Sequence, residues 1–296
     1  IKDMIFGKKL AKQYINVAEN INIAVCTKGD GPPLLLLHGY PQTGYIWHKI
    51  APQLARDFTV IITDLRGYGD SDKPPTSADH AVYSKRAMAT DMISVMAALG
   101  HQRFFVAGHD RGGRVAHRLA RDYPEAVERL AVLDIAPTTM MYDTTDMQFA
   151  TSYYHWFFLI QPAPFPETLI GHDPKFFLES KMRQWGKDRS AITDEAFNDY
   201  LRCFSNPDTI HASCEDYRAS ASIDLEHDAA DANLKLTMPL LALWGANGMV
   251  GNKYDMLAAW CDVAENVSGF AVPGGHYLPE EAPDETYRAL LNFFTA

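Results

Sequence analysis

Two kinds of apolar pattern alternate along this chain. In its first part polar and apolar side chains take turns, as Gln13-Tyr14-Ile15-Asn16-Val17 and then Ile21-Asn22-Ile23-Ala24-Val25. A period of two predicts a hairpin of half-exposed strands. The next run differs. Pro33-Leu34-Leu35-Leu36-Leu37 is continuously apolar, and Thr59-Val60-Ile61-Ile62 nearly so. The theme repeats at Phe104-Phe105-Val106-Ala107, Leu130-Ala131-Val132-Leu133, Leu240-Leu241-Ala242-Leu243 and Gly269-Phe270-Ala271-Val272. Strands buried on both faces belong to a parallel sheet. Between them Tyr83 to Leu99, Gly113 to Tyr123 and Thr286 to Phe294 carry helical spacing, the first two ending at Gly100 and near Pro124. Strands alternating with helices predict an α/β fold, a mostly parallel sheet flanked by helices.

The rhythm breaks after Ala136-Pro137. From about Met140 to Asp228 there is no buried-strand pattern, and aromatic residues such as Tyr153, Tyr154, Trp156, Trp185 and Tyr217 are frequent. This predicts an inserted helical cap over residues 139–229, with the core domain formed by residues 1–138 and 230–296. At 296 residues the chain is long enough for such a domain with an insertion.

Charge narrows the partners. The formal net charge is −10, which argues against nucleic acid or an anionic membrane. A small anionic substrate needs only a local basic pocket. Cys26, Cys203, Cys214 and Cys261 are scattered and read as reduced thiols. No run approaches 18 apolar residues, and no signal-peptide pattern opens the chain. The start is read as Met4 or a Met upstream, and the location as cytoplasmic.

The chemistry concentrates after the Phe104 strand. Gly108-His109-Asp110-Arg111-Gly112 stands between a strand and a helix, the setting of the nucleophile elbow of the α/β-hydrolase fold. The turn is strained, and strand and helix approach closely, so residues two before and two after the nucleophile must be small. Here the central residue is Asp110. Nucleophile, acid and base follow in that chain order in this fold. His276, in Val272-Pro273-Gly274-Gly275-His276, follows the last strand and is the expected base. The loop Trp244 to Val250 has no carboxylate, and Asp255 lies too far along. Asp134, ending the Leu130 strand, is therefore assigned to orient His276. His38-Gly39-Tyr40-Pro41 follows the first buried strand. The backbone amides of Tyr40 and Arg111 are the expected oxyanion hole, and His38 is read as structural.

A carboxylate nucleophile selects the reaction. Attack on a carbonyl would give an easily reversed anhydride. Attack on saturated carbon bearing a leaving group gives an ester, which water activated by His276 hydrolyses. Halogenated carbon and epoxides both fit. Arg111 follows the nucleophile and Arg114 lies one helical turn on, so both can face the site. Two guanidiniums would hold a substrate carboxylate and keep Asp110 ionised. That points to a small 2-halo acid.

These residues resemble the haloacetate dehalogenases, including the fluoroacetate dehalogenases. The resemblance runs nearly the whole chain. It is carried by H-G-Y-P-Q-T (38–43), D-L-R-G-Y-G-D-S-D-K-P (64–74), G-H-D-R-G-G-R (108–114), L-D-I-A-P-T (133–138), His155-Trp156 and Asp216-Tyr217-Arg218-Ala219. It implies that Asp110 displaces halide, that Arg111 and Arg114 bind carboxylate, and that Asp134 and His276 drive hydrolysis. It further implies a halide pocket of His155, Trp156 and Tyr217, whose N–H and O–H groups suit a departing anion. It also implies a homodimer. Tyr40 departs from the pattern, since Phe is expected there. This leaves the preference among fluoro-, chloro- and bromoacetate open.

Three other readings compete. An epoxide hydrolase shares the Asp nucleophile and could use Tyr153, Tyr154 or Tyr217 as proton donors, but has no use for Arg111 and Arg114. A non-catalytic ligand receptor need not keep nucleophile, acid and base together. A metal or dinucleotide enzyme lacks support. No histidine pair has ligand spacing with a third ligand, and Gly67-Tyr68-Gly69 lacks the third glycine. No cofactor is implied.

Overall fold

The structure, a computed structural model, describes residues 12–296. The start discussed at Met4 lies outside them. Eight strands form one sheet: β1 (Gln13–Ala18), β2 (Ile21–Lys28), β3 (Pro33–Leu37), β4 (Thr59–Thr63), β5 (Phe104–His109), β6 (Val127–Leu133), β7 (Leu240–Gly245) and β8 (Val267–Val272). Their order is β1-β2-β4-β3-β5-β6-β7-β8. β1 pairs antiparallel with β2 and β2 with β4, while the other neighbours are parallel.

The continuous apolar runs are explained by helices on both faces. Leu35 and Leu37 pack with Met88, Met92, Val115 and Leu119, from α2 (Lys85–Ala98) and α3 (Arg111–Asp122). Leu34 and Leu36 point the other way, onto Trp47, onto Leu54 of the short α1 (Ala51–Leu54), and onto Leu290 and Phe294 of the last helix. Two predicted strands differ in burial. The hairpin at 13–25 forms, but only β1 is half-exposed. β2 is buried at Ile21 and from Ile23 to Cys26, because it lies inside the sheet against β4. β8 was expected to be buried on both faces, yet Phe270 is half exposed, because β8 is the sheet edge.

Between β6 and β7 the chain is helical. α4 (Thr138–Asp143), α5 (Met147–Ser152), α6 (His155–Phe158), α7 (Phe165–His172), α8 (Pro174–Trp185), α9 (Asp194–Phe204), α10 (Pro207–Ser220) and α11 (Ile223–Ala230) follow in turn. α12 (Met249–Lys253), α13 (Met256–Cys261), α14 (Leu278–Glu281) and α15 (Pro283–Thr295) complete the core. Among the described residues no helix is long and apolar enough to cross a membrane.

The parallel register sets the site. Leu37 is level with Thr63 and Gly108, and Leu133 with His109 and Leu243. The Asp110 N–H bonds Leu133 O at 3.2 Å, and the Asp134 N–H bonds Leu243 O at 2.7 Å. Both acids therefore leave the sheet at its carboxyl edge, where open α/β sheets bind ligands.

Another buried acid ties α9 to the core. Glu280 accepts from Tyr200 Oη at 2.9 Å and from Gln42 Nε2 at 2.7 Å. Burial pushes its carboxyl up from 4.5 to about 8, despite those two donors. The folded state then holds a proton that the unfolded chain releases. Its contribution is complete below about 4.5 and is lost as the pH rises through about 8. Glu280→Gln should flatten that fall by up to about 1.4 kcal/mol per pH unit. Unfolding free energies of parent and variant between pH 5 and 9 check this. Parallel curves would contradict it.

Candidate active site

The elbow is built as the glycine spacing requires. A Cβ on Gly108 would lie 2.3 Å from Gly112 O, and one on Gly112 would lie 2.3 Å from His38 O. Neither backbone can give, so only glycine lets α3 start this close to β5 and β3. Asp110 sits at φ 50°, ψ −118°. An L residue there costs about 1–3 kcal/mol, which the flanking strand and helix must supply. Its side chain does not cap α3. Asp134, at φ 53°, shares the left-handed backbone.

Asp110, Asp134 and His276 are brought together. His276 Nδ1 is 2.6 Å from Asp134 Oδ2, and Asp134 Oδ1 accepts the Gly245 N–H at 3.0 Å. With Asp134 as acceptor, His276 carries its proton on Nδ1 and turns Nε2 to Asp110 Oδ2, 3.6 Å away. The other oxygen, Asp110 Oδ1, accepts the Tyr40 N–H at 2.8 Å. The two carboxylate oxygens are thus distinct: one on a backbone amide, one toward the base. Arg111 opens α3 beside Asp110, where the second expected amide lies. Asp255 accepts from Ala258 N as the cap of α13, which explains why it is no triad member. His38 takes the Leu65 N–H on Nε2 and bonds Gly39 O through Nδ1, a structural role.

Electrostatics keep these groups in working states. Burial opposes ionisation of Asp110, but His276, His109, Arg111 and Arg114 outweigh it and hold its carboxyl below the ordinary value. Burial likewise lowers His276, yet Asp134 and then Asp110 raise it above 6.5 overall.

The two arginines differ. Arg111 is fully buried and belongs to an ion pair. Its Nε donates to Asp216 Oδ2 at 3.0 Å and its Nη2 to Asp216 Oδ1 at 2.7 Å, with Ser220 Oγ beside it. Asp216 on α10 also accepts from Tyr68 Oη at 2.6 Å and pairs with Lys85. Arg111 is therefore only partly available to a further partner. Its Nη1 is buried and, among the described residues, lacks a partner. Among the described residues Arg114 pairs with no acid. Its Nη1 bonds Ala136 O and Thr138 Oγ1, its Nη2 lies 3.3 Å from Met141 Sδ, and its Nε is buried and lacks a partner among the described residues.

His155, Trp156 and Tyr217 gather around these arginines. The Arg111 guanidinium lies 4.0 Å over the Tyr217 ring, and that of Arg114 lies 4.8 Å over Trp156. The His155 and Tyr217 ring centroids are 5.4 Å apart, and those of Trp156 and Tyr217 are 6.5 Å apart. His155 Nδ1 and Tyr217 Oη are buried and lack partners among the described residues. Burial first, and then Lys181 and Arg111, push His155 well below 6.5, so it is neutral. Burial and the Asp110 charge push Tyr217 well above 10, so its O–H proton stays on.

Three contributors went unassigned from sequence. Trp185, ending α8, packs with its ring centroid 4.4 Å from that of His155 and 5.6 Å from that of His276, and its indole N–H lacks a partner among the described residues. His109 bonds His276 O through Nε2 at 2.7 Å and so fixes the loop carrying the base. Asp216 stands one residue before Tyr217, but nothing in local spacing reveals that it meets Arg111, 105 positions away.

This fold and constellation define an α/β hydrolase. The chain belongs to the α/β hydrolase fold family, which it matches over residues 32–283. It is 43% identical to a fluoroacetate dehalogenase of Burkholderia sp over 96% of this chain and 93% of that one. It is 39% identical to a soluble epoxide hydrolase of Corynebacterium sp. (strain C12), over 90% and 92%. The crystal structure of an α/β hydrolase from Nostoc sp PCC 7120 superposes with a TM-score of 0.95 at 57% identity, covering 96% of this chain and 98% of that one. The resemblance to the fluoroacetate dehalogenases therefore extends along the chain. Epoxide hydrolases resemble it almost as well, so the activity has to be argued from the site.

The histidine chemistry is testable. As the expected base, His276 would have to be neutral to accept a proton from water, so turnover should fall as the pH drops through its raised pKa. Asp134→Asn should lower kcat by about 10²–10⁴ and move the acidic limb to lower pH. A kcat profile from pH 5 to 9 checks both. An unmoved limb would contradict the role of Asp134.

Proposed function

We propose that this hydrolase removes halogen from small 2-halo carboxylic acids such as fluoroacetate and chloroacetate, yielding glycolate and halide. The observation that carries this reading is the pair of unpaired buried cationic donors, Arg111 Nη1 and Arg114 Nε, beside an ionised Asp110. A buried donor without a partner costs about 1–3 kcal/mol, more when charged. A substrate carboxylate removes that cost at both guanidiniums, whereas a neutral epoxide leaves both in place.

The mechanism follows from the two oxygens of Asp110. Oδ2 attacks the carbon bearing halogen from the side opposite the leaving group. The carbon–halogen bond breaks, and the halide leaves with the electron pair toward His155, Trp156 and Tyr217. Neutral imidazole, indole and phenol donate to it without placing a full positive charge that would trap it. Water then adds to the ester carbonyl carbon of Asp110 while His276 Nε2 takes its proton. The Tyr40 amide already touches Oδ1, which becomes the oxyanion, and the Arg111 amide is the second donor. Collapse releases glycolate.

Halide release from fluoro-, chloro- and bromoacetate, with glycolate quantified, tests the activity. All three should react, and Asp110→Asn should abolish release. His276→Ala should release one halide per site and stall as an ester on Asp110. Repeated turnover by that variant would overturn the two-step scheme. Arg114→Ala should raise KM by about tenfold or more with a smaller effect on kcat, since one charge-assisted contact contributes about 1.5–3 kcal/mol. An unchanged KM would remove Arg114 from carboxylate binding.

A further inference from the structure

The site holds two sets of unsatisfied donors, and a haloacetate uses the second set only in part. Arg111 Nη1 and Arg114 Nε are the cationic set. The other set includes a phenol, Tyr217 Oη, which is buried, lacks a partner among the described residues and feels the Asp110 charge. A departing halide needs hydrogen bonds but no proton. A phenol brings more than a hydrogen bond, because it carries a proton it can give up. Burial and the Asp110 charge keep that proton on Tyr217 until a stronger base forms beside it. An alkoxide is such a base.

We infer that this chain also opens 2,3-epoxy carboxylates, with Tyr217 as the proton donor. This rests on the carboxylate-binding reading of Arg111 and Arg114. Oxirane-2-carboxylate carries its carboxylate on the same carbon that bears halogen in a 2-halo acid, and its ring oxygen takes the halogen's place. It has only one heavy atom more than fluoroacetate. Asp110 Oδ2 bonds to that carbon as the carbon–oxygen bond breaks. The electron pair stays on the ring oxygen, which takes the Tyr217 proton. Water, with His276 as base, hydrolyses the ester. The proton left on the regenerated Asp110 carboxyl returns to the Tyr217 phenolate. The sum is epoxide plus water giving 2,3-dihydroxypropanoate, with no other reactant.

Tyr40 strengthens the case for a site adapted beyond halide. Its ring packs 5.3 Å from Tyr217, edge to face, and 6.1 Å from His155, stacked. Its hydroxyl is also buried and without a partner among the described residues. The halide pocket is thus walled by a second phenol.

The charge requirement separates this activity from ordinary epoxide hydrolysis. Glycidol, the neutral analogue with a hydroxymethyl group in place of the carboxylate, leaves both arginine donors unpaired. The experiment offers oxirane-2-carboxylate, glycidol and bromoacetate to the full chain and measures diol and bromide. The expected result is diol from the epoxy acid, at least about 10²-fold less from glycidol, and bromide from bromoacetate. Tyr217→Phe should lose about 10²-fold or more on the epoxy acid, and distinctly less on bromoacetate, whose leaving group needs no proton. Its remaining bromide release shows that it is folded. Bromide release with the epoxy acid left intact would overturn the inference and spare the dehalogenase reading. Equal losses on both substrates would remove Tyr217 as the proton donor. Failure on both substrates by the parent chain would overturn both readings.

Discussion

Everything at this site depends on one buried ion pair, Arg111 with Asp216. Arg111 follows the nucleophile on α3, and Asp216 stands on α10 in the inserted helical segment. Neither is exposed, so removing Asp216 would leave the buried Arg111 charge without its carboxylate, at a cost of about 3–5 kcal/mol, whereas removing Arg111 would leave Asp216 paired with Lys85. The pair holds α10 over the elbow and sets Tyr217, the next residue, against the Arg111 guanidinium. It also uses two of the three Arg111 nitrogens. What remains for a substrate is one nitrogen there and one on Arg114. The inserted helical segment therefore contributes a charge to the surroundings of Arg111.

The same arrangement explains how one scaffold serves related chemistries. In the proposed scheme the elbow, the Asp134–His276 pair and the Tyr40 amide form and hydrolyse an ester on Asp110. They do not choose the substrate. That choice falls to groups the ester chemistry does not use: the unpaired arginine nitrogens, which call for a carboxylate, and the neutral donors opposite. The chain is similar to both a fluoroacetate dehalogenase and an epoxide hydrolase.

Much of this was legible in the sequence, for identifiable reasons. Strands buried on both faces announce themselves as apolar runs, and β3, β5 and β6 were read that way. Glycine spacing at 108 and 112 reports a close approach that only two backbones can make. His276 and Asp134 follow from strand order. The misreadings came from position within the sheet. β2 looks half-exposed by its alternation but lies between two strands, and β8 looks buried but is the edge. Tertiary ion pairs left no local trace, so Asp216 was seen as a motif letter without a role. Trp185 was one aromatic among many until the fold placed it against His155.

The account stands most directly on the ester at Asp110. A single turnover of chloroacetate in ¹⁸O-water, with enzyme in excess, tests it. Mass spectrometry of the Asp110 peptide and of glycolate reads the outcome. The account predicts one ¹⁸O in the Asp110 carboxylate and unlabelled glycolate, because water attacks the ester carbonyl carbon. Labelled glycolate with an unlabelled Asp110 would mean that water displaces halide directly, and would contradict it.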